Sequence, residues 1–183
     1  ERFIDNYPPN VLETSGNITY GDYTALCAGI LNFFGRPGKS MVMWIGRLSA
    51  KKAIEHQSGI FNLATVLAAK LLPTSVQVKM GLGAVMGGFK VMAEKAGQEF
   101  KGTIEDKGDN YHYIVETCPL CSGKQSDSNI GWLMEASLEE GLQQVFNKFF
   151  DVVEIECKAK GAPAGIWEVP KQPGEEGVNR SAR

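Results

Sequence analysis

Apolar positions in the first half of the chain recur at helical spacing. From Asp22 to about Phe34, the residues Leu26, Cys27, Ile30, Leu31 and Phe34 share one face, and Gly35-Arg36-Pro37-Gly38 stops the run. Ser40 is placed to cap a second helix reaching about Gln57, with Met43, Trp44, Leu48 and Ile54 predicted inward. A third helix is predicted from about Ile60 to Leu72, where Pro73 ends it. Pro73-Thr74-Ser75 then opens a long fourth helix. Its apolar stripe of Val78, Leu82, Val85, Phe89 and Met92 alternates by four and three.

The period changes after residue 100. Thr103 to Asp106 and Tyr111 to Thr117 flank Lys107-Gly108-Asp109-Asn110, a turn of hairpin composition. Alternation along the second strand sets His112, Ile114, Glu116 and Cys118 on one face and Tyr111, Tyr113 and Val115 on the other. Ser126 or Asp127 is predicted to open a fifth helix to about Phe149. Ile130, Leu133, Met134, Leu138, Leu142, Val145 and Phe149 form its core side. Val152 to Lys158 and Gly165 to Val169 make a last hairpin around Gly161-Ala162-Pro163. Helices followed by two hairpins split by one helix predict an α+β fold, a helical half packed on a four-stranded antiparallel sheet. Residues 1–20 read as an arm, 21–170 as a single ligand-binding domain, and 171–183, rich in Pro, Gly and charge, as a disordered tail.

Composition narrows the function classes. Nineteen basic against 21 acidic residues leave a formal charge of −2, without the basic excess that phosphate neutralisation requires, so no nucleic-acid partner is expected. The uncharged run Met80 to Phe89 is about half of the roughly 20 residues needed to span a bilayer, so no transmembrane segment is expected. The chain opens at Glu1 without a signal-peptide pattern, and a cytoplasmic location is the expectation. Glycine is in excess, at 21 of 183 residues, and clusters at 81–88, which marks close approach of backbone rather than low complexity.

That cluster, Gly81-Leu-Gly83-Ala-Val-Met-Gly87-Gly88, mimics a dinucleotide-binding loop, with Glu105 or Asp106 about 20 residues on. The apolar stripe crosses the glycines unbroken, however, and no strand–helix alternation follows to build a parallel sheet. The segment therefore reads as a helix whose glycines admit a neighbouring helix or a ligand. Its candidate pocket residues are Trp44, Leu82, Val85, Met86, Phe89 and Met134, side chains that also suit an ordinary core.

Cysteine supplies the other candidate. Cys118-Pro-Leu-Cys121 at a strand end presents two thiols to one point, and Cys157 on another strand offers a third. Cys157 alternates with Val153 and Ile155, which places its thiol on the core side of its strand. His112 or Glu116 would complete a structural zinc site of Cys118, Cys121, Cys157 and His112. A reversible disulfide and inert buried thiols are the alternatives. No nucleophile–base constellation is visible, and of the two histidines His56 lies at a helix end and His112 in a strand. Catalytic residues are therefore not assigned.

Three segments carry a family resemblance: Glu116-Thr-Cys118-Pro-Leu-Cys121; Asn129-Ile-Gly131-Trp through Gly141; and Val153-Glu-Ile-Glu156-Cys157-Lys-Ala-Lys-Gly161-Ala-Pro163. Together with Ile45-Gly46-Arg47, they resemble the 4-vinyl-reductase domain family, also called the hydrocarbon-binding domain and related in fold to the acyl-binding subunits of the TRAPP tethering particle. The resemblance spans about residues 20–170. It implies helices on a four-stranded antiparallel sheet, a small apolar ligand (hydrocarbon, fatty acyl or tetrapyrrole-like), and pairing into homodimers through helical surfaces. Some regulatory members hold structural zinc through a cysteine matching Cys157 and another just past the Gly-x-Pro turn. Here Ala164 and Gly165 stand at that second place. The expected function is binding of an apolar small molecule as sensor or carrier. The alternatives are an enzyme or accessory factor for vinyl-group reduction in (bacterio)chlorophyll biosynthesis, and a dimerising scaffold.

Overall fold

A computed structural model of the chain describes residues 20–56, 71–95, 97–118, 120–121 and 123–174. Among these residues the elements run α1 (Tyr20–Phe34), α2 (Arg36–His56), α3 (Thr74–Lys95), β1 (Gly102–Lys107), β2 (Asn110–Val115), α4 (Trp132–Phe146), β3 (Val153–Glu156) and β4 (Gly165–Pro170). A single 3-10 turn, Lys158–Lys160, precedes β4. The fold is α+β, as the change of period predicts.

Gly35 ends α1 in the left-handed region, φ +60, with its N–H donating to Leu31 O at 2.9 Å. The chain then re-enters a helix at once. Pro37 sits in the first turn of α2, where its missing N–H leaves no bond unmade. Ser40 is therefore inside the helix and not its cap. The inward face of α2 also differs from the expected one. Val42 is fully buried, whereas Trp44 is 62% and Leu48 39% exposed. The physical reason is smallness. A Cβ on Gly46 would collide with the backbone oxygen of Leu133 in α4, so α2 turns its least bulky face to its most extensive partner.

Residues 57–70, holding most of the third predicted helix, lie outside the described residues. Leu71 and Leu72 form a turn before Pro73. The carbonyl of Pro73 accepts from the amides of Val76 and Gln77 as α3 begins. Val78 and Leu82 are fully buried, with Val85 and Phe89 packed against the core. Helix α3 makes its close approach at Gly81, where a Cβ would meet Leu142 Cδ2 and Phe146 Cε2 at 3.0 Å. Gly141 answers from α4, where a Cβ would meet Val85 Cγ2 at 3.3 Å.

Strands β1 and β2 pair antiparallel from Gly102↔Val115 to Lys107↔Asn110. Gly108, at φ +79, supplies the positive φ that this two-residue loop needs. Strand β2 then pairs with β4, Tyr113 opposite Trp167, and β3 closes the far side, in the order β1-β2-β4-β3. One sheet face buries Tyr111, Tyr113, Val115, Trp167 and Val169 under the helices. Tyr113 and Trp167 meet edge to face, ring centroids 6.4 Å apart.

Helix α4 starts at Trp132, six residues later than Ser126. The intervening chain is held elsewhere, Ser126 N donating to Ala159 O at 3.0 Å and Asn129 Nδ2 to Glu154 O at 2.5 Å. The helix stops at Phe146 because Asn147 adopts φ 51 and its N–H closes on Gln143 O. Phe149 thus lies beyond the helix, and Phe150 is the residue buried in the core. Past β4, Lys171 N donates to Asp109 O and Gly174 N to Phe149 O. Residues 175–183 lie outside the described set. Among the described residues no helix is long and apolar enough to cross a membrane.

Candidate functional site

The polar heart of the molecule lies where β2, the start of α4 and the β3–β4 turn converge. Strand β2 ends at Val115, and Glu116 N–H continues the pairing by donating to Lys101 O. A turn follows. Cys121 N donates to Cys118 O at 3.3 Å, which folds the CxxC segment back on itself and brings the two sulfurs to 3.1 Å. Across the gap, Cys157 stands 3.7 Å from Cys121, Sγ to Sγ. Its carbonyl accepts the Lys160 and Ala162 amides, and Gly161 at φ +97 permits so tight a turn. Lys158 Nζ reaches back to Glu116 O at 2.5 Å.

The fourth member of this cluster is Glu154, which the sequence reading did not single out. Alternation alone would set Glu154 opposite Cys157, but the β3–β4 register slips between Glu154 and Glu156. That irregularity turns Glu154 and Cys157 to the same side, both buried, and leaves Val153 and Ile155 exposed. The Cys157 thiol faces the core as expected, but it shares that side with a carboxylate and not with the two aliphatics. Glu154 Oε2 accepts Gly131 N–H at 2.8 Å, and its own N–H donates to Glu135 Oε2 at 3.2 Å. Trp167 Nε1 donates to Gly131 O at 3.2 Å, so ring and carboxylate hold the same glycine from two sides.

Burial sets the protonation of these groups. It raises the Glu154 carboxyl above the usual carboxylate range, with the Gly131 amide and the neighbouring Cys157 thiol pulling the other way. It pushes Glu135 up to about 7 and the Cys157 thiol up to about 12. The hydrogen bond shared by Cys118 and Cys121 splits that pair, lowering Cys118 and raising Cys121.

Cys121, Glu154 and Cys157 place one ligand atom each within 4.8 Å of one another. Tetrahedral zinc with Zn–S bonds of about 2.3 Å separates two sulfurs by about 3.8 Å, and the Cys121–Cys157 spacing of 3.7 Å fits that edge. Glu154 Oε1 is buried without a hydrogen-bond partner, and a cation between it and the sulfurs would supply what it lacks. The residues fit a metal ion. His112 is not among them. It lies on the opposite face of the sheet, its Nε2 3.5 Å from Oε2 of its cross-strand neighbour Glu168. The expected sharing of a face by His112 and Cys118 fails because the strand ends before residue 118 is reached.

The apolar residues singled out from the sequence differ in their surroundings. Leu82 and Met134 are fully buried, Val85 and Phe89 pack against the core, and Trp44 stands out from α2. Met86 alone of the six lines the groove between α3 and β1. That groove, of about 370 Å³, is bounded by Met86, Gly87, Phe100 and Gly102, with Lys90, Lys101, Thr103 and Glu116 adding polar groups. Phe100 lies stacked on Phe89, centroids 6.1 Å apart, which carries the apolar wall toward the core. Phe100 and Lys101 escaped the sequence reading because they precede β1 and belong to no periodic run.

Residues 111–164 match the family profile of the vinyl-4-reductase (V-4-R) domain. No curated protein matches the chain. Among solved structures, the chain aligns with the phenol-responsive sensory domain of the transcription activator PoxR with phenol, at 14% identity and a TM-score of 0.49, over 84% of this chain and 75% of that one. It also aligns with a vinyl-4-reductase family protein from Methanocaldococcus jannaschii, at 18% identity and a TM-score of 0.38, over 64% of this chain and 79% of that one. The stretch from Tyr111 to Ala164, holding β2, the CxxC turn, α4, β3 and Cys157, thus resembles that domain in sequence, and over that stretch the 4-vinyl-reductase resemblance is shown.

Proposed function

We propose that this chain is a small-molecule-binding domain, a sensor or carrier, whose ligand is apolar and sits in the groove between α3 and β1. The carrying observation is the groove itself, with an apolar floor of Met86 and Phe100 and polar groups at its rim. The family match supports the same reading, since the resemblance implies apolar ligands. Gly87 borders the groove, and among the described residues nothing lies within 4 Å of where its Cβ would be, so the helix is bare where a ligand would rest. Self-association through helical surfaces belongs to this reading. Phe33, Met41 and Trp44, exposed on α1 and α2, support it.

The thiol–carboxylate cluster takes a structural role in this reading. A zinc ion held by Cys121, Glu154 and Cys157 would pin the β3–β4 turn to the segment leading into α4; when bound, it supplies a cross-link and no reaction step.

Titration with a fluorescent fatty acid tests the groove. The expected result is saturable uptake by the unaltered protein and at least tenfold weaker uptake by Gly87→Leu, with the melting temperature within a few degrees. Undiminished uptake by Gly87→Leu would place the ligand elsewhere. Absence of uptake of the fatty acid and of small aromatic probes by the unaltered protein would overturn the reading.

A further inference from the structure

The groove between α3 and β1 changes character along its length. Met86 and Lys90 both line it from α3, four residues and about 6 Å apart along the helix axis, with Gly87 between them. At the Met86 end the β1 side is bare backbone. A Cβ on Gly102 would meet Met86 Cε and Phe100 Cε1, each at 3.1 Å, so the glycine is what lets the thioether and the ring close over the strand. The rim, by contrast, gathers cations. Lys90 is exposed and makes no ion pair with any described residue. Lys101 lines the groove too, its ammonium 3.1 Å from Glu99 Oε1. Lys158 Nζ, bound to the Glu116 carbonyl at 2.5 Å, brings a third positive charge beside Glu116. Three ammonium groups against the carboxylates of Glu99 and Glu116 leave this rim positive, in a chain whose formal charge is −2.

We propose that the groove selects an anionic amphiphile, its apolar tail laid over Gly87 between Met86 and Phe100 and its single carboxylate paired with Lys90. The proposal rests on the groove reading above and adds to it the charge of the ligand and the residue that reads that charge. One negative charge is the fit. Glu99 already neutralises Lys101, and the Glu116 carboxylate borders the same space, so a dianionic head such as a phosphate monoester meets repulsion there. Lys90 suits the task because its flexible stem can cover the tail while its ammonium follows the head into water. The volume of about 370 Å³ lies near the lower end of the roughly 300–1,000 Å³ of ligand pockets, which calls for a small tail.

Calorimetry of the full chain with 4-phenylbutanoate and 4-phenylbutan-1-ol separates charge from tail, because the two probes share one tail. A purely apolar groove would favour the alcohol, since the ionised acid must give up more hydration. The expected result at pH 7 is the reverse, tighter binding of the acid, weakened by raising salt from about 0.05 to about 0.5 M while the alcohol is unaffected. Lys90→Gln should weaken the acid about three- to tenfold, between the effect of an exposed ion pair and that of a charge-assisted hydrogen bond, and leave the alcohol unchanged. Lys90→Glu should weaken the acid further, and Lys51→Gln on α2 should change neither probe. Lys90 is exposed, so these variants should keep the melting temperature of the unaltered protein. Alcohol bound as tightly as the acid, or acid binding unmoved by Lys90→Glu, overturns the proposal; if Gly87→Leu still abolishes uptake, the groove reading stands. Acid binding undiminished in Gly87→Leu, or no binding of either probe, overturns the groove reading and the proposal together.

Discussion

Gly131 is held more tightly than its size suggests. A Cβ there would come within 2.5 Å of Glu154 Oε1 and 2.6 Å of Trp167 Cζ2, both belonging to buried side chains with nowhere to retreat. Gly131→Ala should cost about 1–3 kcal/mol, the usual range for overpacking, read as a lower urea midpoint at unchanged m-value. Arg47 makes a different kind of contact, its Nη2 3.1 Å from Oε2 of the buried Glu139. Arg47→Ala strips that carboxylate of its partner on α2 and should cost about 1–3 kcal/mol. Glu139→Gln in the same chain should recover part of the loss. Burial raises the Cys27 thiol from 9.0 to about 11. The folded protein therefore keeps a proton that the unfolded thiol releases above pH 9. This contribution to stability is whole below pH 9 and lost as pH rises toward 11, and maleimide at pH 8 should label Cys27 only on unfolding. The thiols of the site were legible from spacing, since CxxC fixes two sulfurs locally and Cys157 follows directly on a strand. Glu154 was not, because only the slip in β3 turns it to the sulfurs, and an irregular register leaves no period to read.

At the level of elements, helix α3 divides its glycines between two uses. Gly81 is pressed against Leu142 and Phe146, whereas Gly83, Gly87 and Gly88 have nothing within 4 Å of a built Cβ among the described residues. Glycine inside a helix is worth roughly 0.5–1 kcal/mol less than alanine. Gly83→Ala should therefore stabilise by about that amount, visible as a rise of a few degrees in thermal melting, and Gly81→Ala should do the reverse. A loss of stability in Gly83→Ala would show that something packs on that face. The helical and strand periods were readable because burial is one-sided: the stripe of α3 and the alternation of β2 both survive into the structure as buried faces. Boundaries failed where tertiary bonds outweighed local pattern. Ser126 to Ile130 has a cap and an apolar residue in place, yet Asn129 and Ser126 bond to the chain around β3. The inward face of α2 was misread for a related reason. Large apolar residues were expected to mark it, but helices that approach closely select small ones, and Gly46 meets α4 where Trp44 does not.

Across the whole molecule the sheet is assembled out of chain order. Its central pair is β2 with β4, so the last described strand lies inside and β3, made just before it, lies at an edge. Both outer strands are poor templates for further pairing: β1 carries Glu105, Asp106 and Lys107 at its end, and β3 has four residues and an irregular register. Strand β2 has no such protection until β4 arrives. During synthesis on the ribosome, residues 110–115 therefore present an open, apolar edge while about 50 further residues are made, a stretch of several seconds at ordinary elongation rates of roughly 5–20 residues per second. The hairpin can form early, but the core that depends on Trp167 closes only when β4 emerges. A chain ending before Gly165 should accumulate as an aggregate, whereas one ending after Gly174 should stay dispersed. The position of β4 in the sheet thus makes the protein's solubility depend on that late strand.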